Sequence, residues 1–576
     1  PRSGLRCSPF TQQAAPTSPS TMPFSSRALL VIPAFVALSL SANAAATTSS
    51  PQAMPAQRHV AGPIFNQDST QFFFDHDSTE MSGALVDAYI DQLAEAGVRT
   101  FVSCVNAQRA NYPSRVWEHD WDGYDPAGPD DQPVLREIAR GGPAGVAATR
   151  RRLDSAKRLA DLGINFHARA LARCRARGLG AWVSVRMNDL HDCLLPDSPL
   201  LSGFFKAQRA AGRLRAPYRR ENWWADQALD WERPDVQEHY FALVREQLET
   251  LDLDGLELDW MRFVWHFRPG HELAGGRVIT AWMRRVRAEC DRAAARLGHP
   301  VLLGVRVPSR PETARRCGLD GVAWAREGLV DLVVPTPFWA TSDFDMPIQE
   351  WKRLLTGTRA QLAGGIEIRY QPVPNGPASQ MTPALTAGLG VTLLAGGADA
   401  VYLFNYFPQP LFAEQKWGNE VQYRWTPGEY GRLLHAMQSL DALAGEQRVH
   451  AITFHDVRAP GDPADHALPR TDTHADFQWP PGCALRVQTG PVPAVSRHAE
   501  LHLTFDPQRP APAKLRVFVN ATECAAPMSA DATRLVYALP PAALQEEAQV
   551  IELVAPKDAM FAVTRLEISI PAAAEH

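Results

Sequence analysis

The run DLDGLELDWMRF, Asp252 to Phe263, carries Glu257 and Asp259 two residues apart among apolar neighbours. Side chains two apart on a strand share a face, roughly 7 Å from each other along the chain. Carboxylates on a buried face cost several kcal/mol unless they are paired or used. Similar polar endings recur. AWVSVRMND (181–189) puts Ser184, Arg186 and Asn188 on one face, with Asp189 and His191 just beyond. GGIEIRY (364–370) aligns Glu367 with Arg369. TFVSCVNA (100–107) ends near Asn106, VLLGVRVP (301–308) carries Arg306, DLVVPTPFW (331–339) ends in Trp339, and DAVYLFNYF (399–407) ends in Asn405 and Tyr406. QFFFDHD (71–77) ends in Asp75-His76-Asp77. Two carboxyl groups facing each other across a cleft suit glycoside hydrolysis, in which one protonates the leaving oxygen and the other acts as nucleophile or base. Asp259 and Glu367 are the expected pair. Glu257 is either a proton donor or the group that orients Asp259. A purely structural alternative pairs Glu257 with Arg186 or Arg306. Asp75, Asn106, Arg186, Asn188, Asp189, His191, Arg262, Arg306, Trp339, Arg369, Asn405 and Tyr406 are expected to bind substrate hydroxyls and ring faces.

The elements that must position these groups alternate. Each of the eight runs is followed by a helical segment, among them Leu85, Ala88, Tyr89 and Leu93 before Gly97; a helix over about 155–177 ending at Gly178; Val236, Tyr240, Leu243, Val244 and Leu248; Ile279, Trp282, Met283, Val286 and Cys290; and a last helix over 427–444. Eight such units predict a (β/α)8 barrel of α/β class over residues 70–446. Its long segments, 106–150 and 189–234, follow strands, where barrel active sites are built. An open doubly wound sheet is the alternative, but no G-x-G-x-x-G or phosphate loop is present. From about residue 447 prolines and short alternating runs take over (HAITFHDV, CALRVQT, AELHLTFD, KLRVFVN, TRLVYAL, QVIELVA, AVTRLEISI), which predicts a C-terminal antiparallel β-sandwich over 447–576. Its role is expected to be structural rather than sugar binding.

The run RPDVQEHYFALVREQLETLDLDGLELDWMRF resembles a motif of the glycosyl-hydrolase-like 10 group of barrel proteins, in which a helix opening at Pro-x-Val leads to an Asp-Gly strand with acidic residues. The resemblance implies a barrel glycosidase. The strand is also similar to the D-G-x-D-x-D-W-E pattern of family 18 chitinases, but Met261 stands at the final Glu position, so that family's proton donor is missing. In α-galactosidase-like families an Asp ending strand four is the nucleophile, which implies that role for Asp259.

Bulk properties exclude other classes. The net charge is -5 and no basic run occurs, so nucleic acid is not an expected partner; an oligo- or polysaccharide is. Some of the 15 tryptophans lie beside charged or loop residues, as in Asn222-Trp223-Trp224, Trp117 and Trp121. From Met22, Arg27, the apolar run 28–40 and Ala42-Asn43-Ala44 read as a signal peptide cleaved near Ala44, with 45–69 a linker. The run is too short to span a membrane, so a periplasmic or secreted protein without stable membrane insertion is expected. Cys104, Cys174, Cys193, Cys290, Cys317, Cys483 and Cys524 lack metal-site spacing; a Cys483–Cys524 disulfide is an open possibility. No cofactor is expected. Two other functions stay open: a non-catalytic carbohydrate-binding barrel, and a metal-dependent barrel hydrolase using Asp75, His76, Asp77, His191 and Asp259. No G-x-S-x-G or H-E-x-x-H supports serine or zinc hydrolysis.

Overall fold

The computed structural model describes residues 59–573 apart from 140–141, 219–223, 375, 407–422, 424, 427, 463–467, 469–481, 493–497 and 557–558. The proposed signal segment and Trp223 lie outside the described residues. Eight parallel strands close into a barrel: β1 Ile64–Asp68, β2 Thr100–Cys104, β3 Gly180–Arg186, β4 Gly255–Asp259, β5 Leu302–Pro308, β6 Leu332–Thr336, β7 Gln361–Glu367 and β8 Ala400–Phe404. β1 closes the ring by pairing with β8, Ile64 opposite Tyr402 and Asn66 opposite Phe404. Helices cover the outside, among them Gly83–Glu95, Phe166–Arg177, Pro234–Thr250, Glu272–Leu297 and Pro383–Ala395.

Seven of the eight expected strands are present. The first is not where QFFFDHD predicts it. IFNQD forms β1, inside the expected linker, and Ser69–Asp75 is a helix. Asp68 caps that helix: its carboxylate accepts from the Thr70 amide at 3.3 Å and the Thr70 hydroxyl at 2.8 Å, and Gln71 reaches Asp75 one turn on. A short aromatic run fits a strand and a buried helix equally well, and the cap decides between them. The helix expected over 155–177 is two, Pro143–Asp161 and Phe166–Arg177. The second starts afresh at Asn165, whose side chain accepts from the His167 and Ala168 amides.

The lower barrel interior is apolar. Trp182 of β3 packs there with Ile64, Val102, Leu332, Val334, Ala363, Ala400 and Tyr402. The neighbouring strands make room: a Cβ on Gly255 would stand 2.3 Å from the Trp182 ring, and one on Gly304 2.9 Å from it. Outward residues such as Trp260 join the helix layer, where Trp260 meets Trp231, Trp282 and His266.

Beyond the barrel, two antiparallel sheets pack face to face on one apolar core. One contains β9 Arg448–Ala451, β11 Glu500–Phe505, β13 Arg534–Ala538 and β15 Val563–Ile570; the other contains β10 Gly482–Gln488, β12 Arg516–Val519 and β14 Ala548–Val554. β9 lies against the helix Pro383–Ala395, so closely that a Cβ on Gly388 would meet the Val449 carbonyl oxygen at 2.1 Å. The Cys483–Cys524 possibility fails on geometry. Cys483 on β10 lies opposite Leu553 of β14, Val517 of β12 flanks Leu553 on its other side, and Cys524 follows the short strand Thr522–Glu523 beyond β12. Three strand spacings are about 14 Å, too far for a disulfide, and Cys524 is a buried free thiol.

Candidate active site

The charged layer begins one step above the apolar plug. Glu257 lies inside the barrel with no exposed surface. Its Oε1 accepts from Ser184 Oγ at 2.7 Å, Tyr402 Oη at 2.9 Å and Asn66 Nδ2 at 3.1 Å, while Oε2, also buried, has no partner. Neither Arg186 nor Arg306 pairs with it, contrary to the structural alternative raised by the sequence. Burial pushes its pKa up to about 7; Arg306 pulls the other way and Asp259 adds to the rise.

Asp259 ends β4 one layer higher. Its Oδ2 accepts from Arg306 Nη1 at 2.6 Å, and its Oδ1 accepts from the amides of Met261 at 3.0 Å and Arg262 at 2.9 Å. The carboxylate thus holds both Arg306 and the turn that leaves the strand. That turn includes Phe263 at φ +70°, a left-handed conformation unusual for a bulky residue. Arg306 stacks over Phe404 at 3.8 Å.

Glu367 ends β7, almost wholly buried. Its Oε1 accepts from the Ile368 amide at 3.1 Å, and its buried Oε2 has no partner. Burial raises its pKa to about 7, with Arg262 and then Arg306 acting in the opposite direction. Glu257 and Glu367 therefore each keep one uncommitted oxygen, and Asp259 keeps neither.

A second ionic chain runs along the other side. Arg186 donates to Asp68 Oδ2 at 2.8 Å and to Asp189 Oδ2 at 3.3 Å; Asp189 Oδ1 meets His191 Nδ1 at 2.8 Å; and His191 Nε2 faces Arg262 Nη2 at 3.1 Å. Burial alone would raise the Asp68 pKa, but the Arg186 guanidinium and the hydrogen bonds from Thr70 and Arg186 outweigh it and bring it down to about 2. Asp189 is held well below the usual carboxylate range by His191 and Arg186 despite burial. His191, with 38% of its side chain exposed, is the open end of this chain.

Several predicted ligands serve the scaffold instead. Asn106 spends both side-chain groups on β3, accepting from the Arg186 amide and donating to its carbonyl. Asn188 pins two loops, bonding Leu229 through both its amide and carbonyl and the Trp265 carbonyl. Tyr406 points away from the mouth, its hydroxyl 2.6 Å from Thr386 on the outer helix. Asp75 lies on the helix after β1 and engages Gln71; with His76 and Asp77 it leaves the strand end that a barrel metal site would use. Among the described residues no group of three or more His, Cys, Asp or Glu side chains is placed to hold a metal. Asn405 sits at φ +51° just after β8. Trp339 and Arg369 form a wall, the guanidinium 4.7 Å from the indole, and Trp224, Phe263, Trp265 and Phe338 make an aromatic cluster beside it.

Sequence reasoning missed Asp68, Asn66 and Tyr402, all of which the barrel directs inward. It also missed Asp456. HAITFHDV is a strand only to Ala451; the chain then crosses to the barrel mouth. There the Asp456 carboxylate accepts from three successive amides, Phe338 at 3.1 Å, Trp339 at 2.7 Å and Ala340 at 2.8 Å. Thr453 bonds the Ser342 carbonyl, and His455 lies 3.4 Å from Asp343. The loop that carries Trp339 is thus held by the C-terminal domain.

No family model matches the chain, and no curated protein matches it. Among solved structures, similarity is found to a noncanonic maltogenic α-amylase, AmyB, from Thermotoga neapolitana (11% identity, 87% of this chain and 100% of that one, TM-score 0.36). The α-glucosyl transfer enzyme XgtA is similar at 12% identity over 87% of this chain and 100% of that one, with a TM-score of 0.37. The PgaB (BpsB) glycoside hydrolase domain from Bordetella bronchiseptica is similar at 10% identity over 60% of this chain and 94% of that one, with a TM-score of 0.34. At these scores the likenesses carry no argument about chemistry, which rests on this chain's own residues.

Proposed function

We propose that the protein hydrolyses a glycosidic bond at the barrel mouth, with Glu367 as the proton donor and Asp259 as the carboxylate partner. The observation that carries the reading is Glu367: a buried carboxyl at the end of β7, one oxygen uncommitted, its pKa raised to about 7. Such a group holds its proton near neutral pH and can deliver it to a leaving oxygen. Asp259 ends β4, and its charge is matched by Arg306 and two backbone amides. A fixed carboxylate of that kind stabilises positive charge growing at an anomeric carbon. Glu257, a layer deeper, orients the ring of groups beneath Asp259. Arg262, His191, Arg369 and Trp339 are the hydroxyl- and ring-binding groups nearest the opening.

One observation favours the non-catalytic carbohydrate-binding alternative: both Asp259 oxygens are already engaged. A glycan panel with product anomers followed by NMR separates the readings. Asp259→Asn and Glu367→Gln are each expected to lower turnover by at least about 10²-fold, the low end for losing an acid–base group, with ligand binding kept. Turnover within tenfold of the parent in Glu367→Gln removes Glu367 from the chemistry; no turnover by the parent on any glycan, with binding intact, favours the binding protein. We also infer export with cleavage after Ala44, on the residues from Met22 onward; N-terminal sequencing of secreted protein tests it, and an uncleaved cytoplasmic form overturns it.

A further inference from the structure

A groove of about 370 Å³ lies away from the charged ring, between the sandwich and the loop that leaves β7. Sites for small molecules commonly have this volume. One wall is Pro372, Val373 and Pro377; the other is the outer face of the first sandwich sheet, with His502, Thr504, Arg534, Arg565 and Glu567. Strand register sets these groups in rows. Thr504 of β11 lies opposite Arg534 of β13 on one side and Arg565 of β15 on the other; His502 lies opposite Glu567. Their alternate neighbours, Leu501, Leu503, Leu535 and Leu566, face the sandwich core, so the polar row faces the groove.

Asp531 acts on Arg534 electrostatically, but only from beyond ion-pair distance. The guanidinium of Arg534 lies 3.3 Å from His502 Nδ1, and among the described residues no carboxylate is within ion-pair distance of it. His502 turns its other nitrogen to Glu500, 2.8 Å away. Arg565 shares Glu567 at 3.7 Å with Tyr370, whose hydroxyl donates to the same carboxylate at 2.8 Å, and its guanidinium lies 5.4 Å from the Tyr370 ring. Two arginines thus flank one threonine hydroxyl; of the carboxylates on this face, Glu567 is shared between Arg565 and Tyr370 and Glu500 is taken by His502. Guanidinium groups recognise planar anions by paired hydrogen bonds. The opposite wall is apolar, and of its residues Pro377 is the exposed one that a sugar ring could meet.

We propose that this groove binds saccharides bearing an anionic group, a carboxylate or a sulfate, through Arg534, Thr504 and Arg565. The saccharide part rests on the function proposed for the mouth. The loop supports a link between the two: Arg369 stands at the mouth beside Trp339, and Tyr370, the next residue, anchors to the groove wall at Glu567.

The test is calorimetric titration of the full chain with tetragalacturonate, a sulfated chondroitin tetrasaccharide, maltotetraose and inorganic sulfate. Saturable binding of either acidic saccharide is expected, weakening with salt, and reduced at least tenfold in both Arg534→Gln and Arg565→Gln. Arg534 is exposed, so Arg534→Gln should keep the parent melting temperature and serves as the control for folding. Glu367→Gln is expected to lower hydrolysis by at least about 10²-fold and leave this binding unchanged, which separates failure of the groove from failure of the mouth. Which acidic probe binds tells carboxylate from sulfate recognition. Equal binding of maltotetraose, affinity insensitive to both arginine variants, binding of inorganic sulfate with no gain for the saccharides, or no binding of any acidic probe each overturns the proposal.

Discussion

Two buried carboxyl groups, Glu257 and Glu367, have pKa values raised to about 7, and their effect on stability has a definite sign. In the unfolded chain each titrates near 4.5. Between that value and about 7 the folded state holds a proton that the unfolded state has lost. The stability tied to each proton is complete below pH 4.5 and is lost as pH rises through about 7. Glu257→Gln should therefore flatten the fall in chemical-denaturation stability between roughly pH 5 and 8; an unchanged slope would show that Glu257 is not protonated in the fold. Activity should fall over the same range as Glu367 loses its proton, read as the alkaline limb of kcat/KM. Arg306 is the charge partner of Asp259. Arg306→Met strands Asp259 in the barrel, with an expected loss of about 3–5 kcal/mol. The double variant with Asp259→Asn should recover part of it, because the buried charge is then gone; a double variant no more stable than Arg306→Met alone contradicts the pairing. Arg186 belongs to Asp68 and Asp189, which also keep Thr70 and His191 as partners, so its removal weakens that chain and takes no bond from Glu257.

At the scale of elements, the barrel interior is set by one large ring and its small neighbours. Trp182 occupies the space that Gly255 and Gly304 leave open. Gly255→Ala should cost at least about 1–3 kcal/mol through overpacking, seen as a lower melting temperature, whereas Gly142→Ala, with open space at the Cβ position but φ of +103°, loses only through backbone strain. Strand alternation explains why the sequence locates the inward groups well: once β4, β5 and β7 are assigned, Glu257, Asp259, Arg306 and Glu367 must share the inside. β1 was hidden because IFNQD is only 5 residues long and precedes a more conspicuous aromatic run. Asp68 has the residue type of an N-cap, but the cap becomes evident only once Ser69–Asp75 is seen as a helix.

Across the whole molecule, the C-terminal domain does more than cover the barrel. Asp456 satisfies three amides of the loop bearing Trp339, and Gly388 allows β9 to seat on the barrel helix. Asp456→Ala leaves those amides without their acceptor, each costing on the order of 1–3 kcal/mol if it stays buried. The loop should relax to expose them. The expected readout is a KM raised by roughly tenfold, about 1.4 kcal/mol of binding, with a smaller change in kcat. An unchanged KM with a lowered melting temperature would make the contact structural only.

The amino-acid sequence by itself determined the alternation of strands and helices, the change to short antiparallel strands near residue 447, and the inward faces of β3, β4, β5 and β7. These are local properties, set by side-chain period and by turn residues. Only the tertiary structure decided which carboxylate meets which cation. Glu257 and Arg306 are 49 residues apart and Asp259 and Arg306 are 47, yet only the second pair bonds, because the register of β4 and β5 puts Asp259 beside Arg306 and Glu257 beside Gly304. Asp68, 118 residues from Arg186, and Asp456, 117 from Trp339, enter the mouth only when the barrel closes and the last domain docks. Barrel closure and domain docking join residues far apart in the chain, and no local pattern records such contacts.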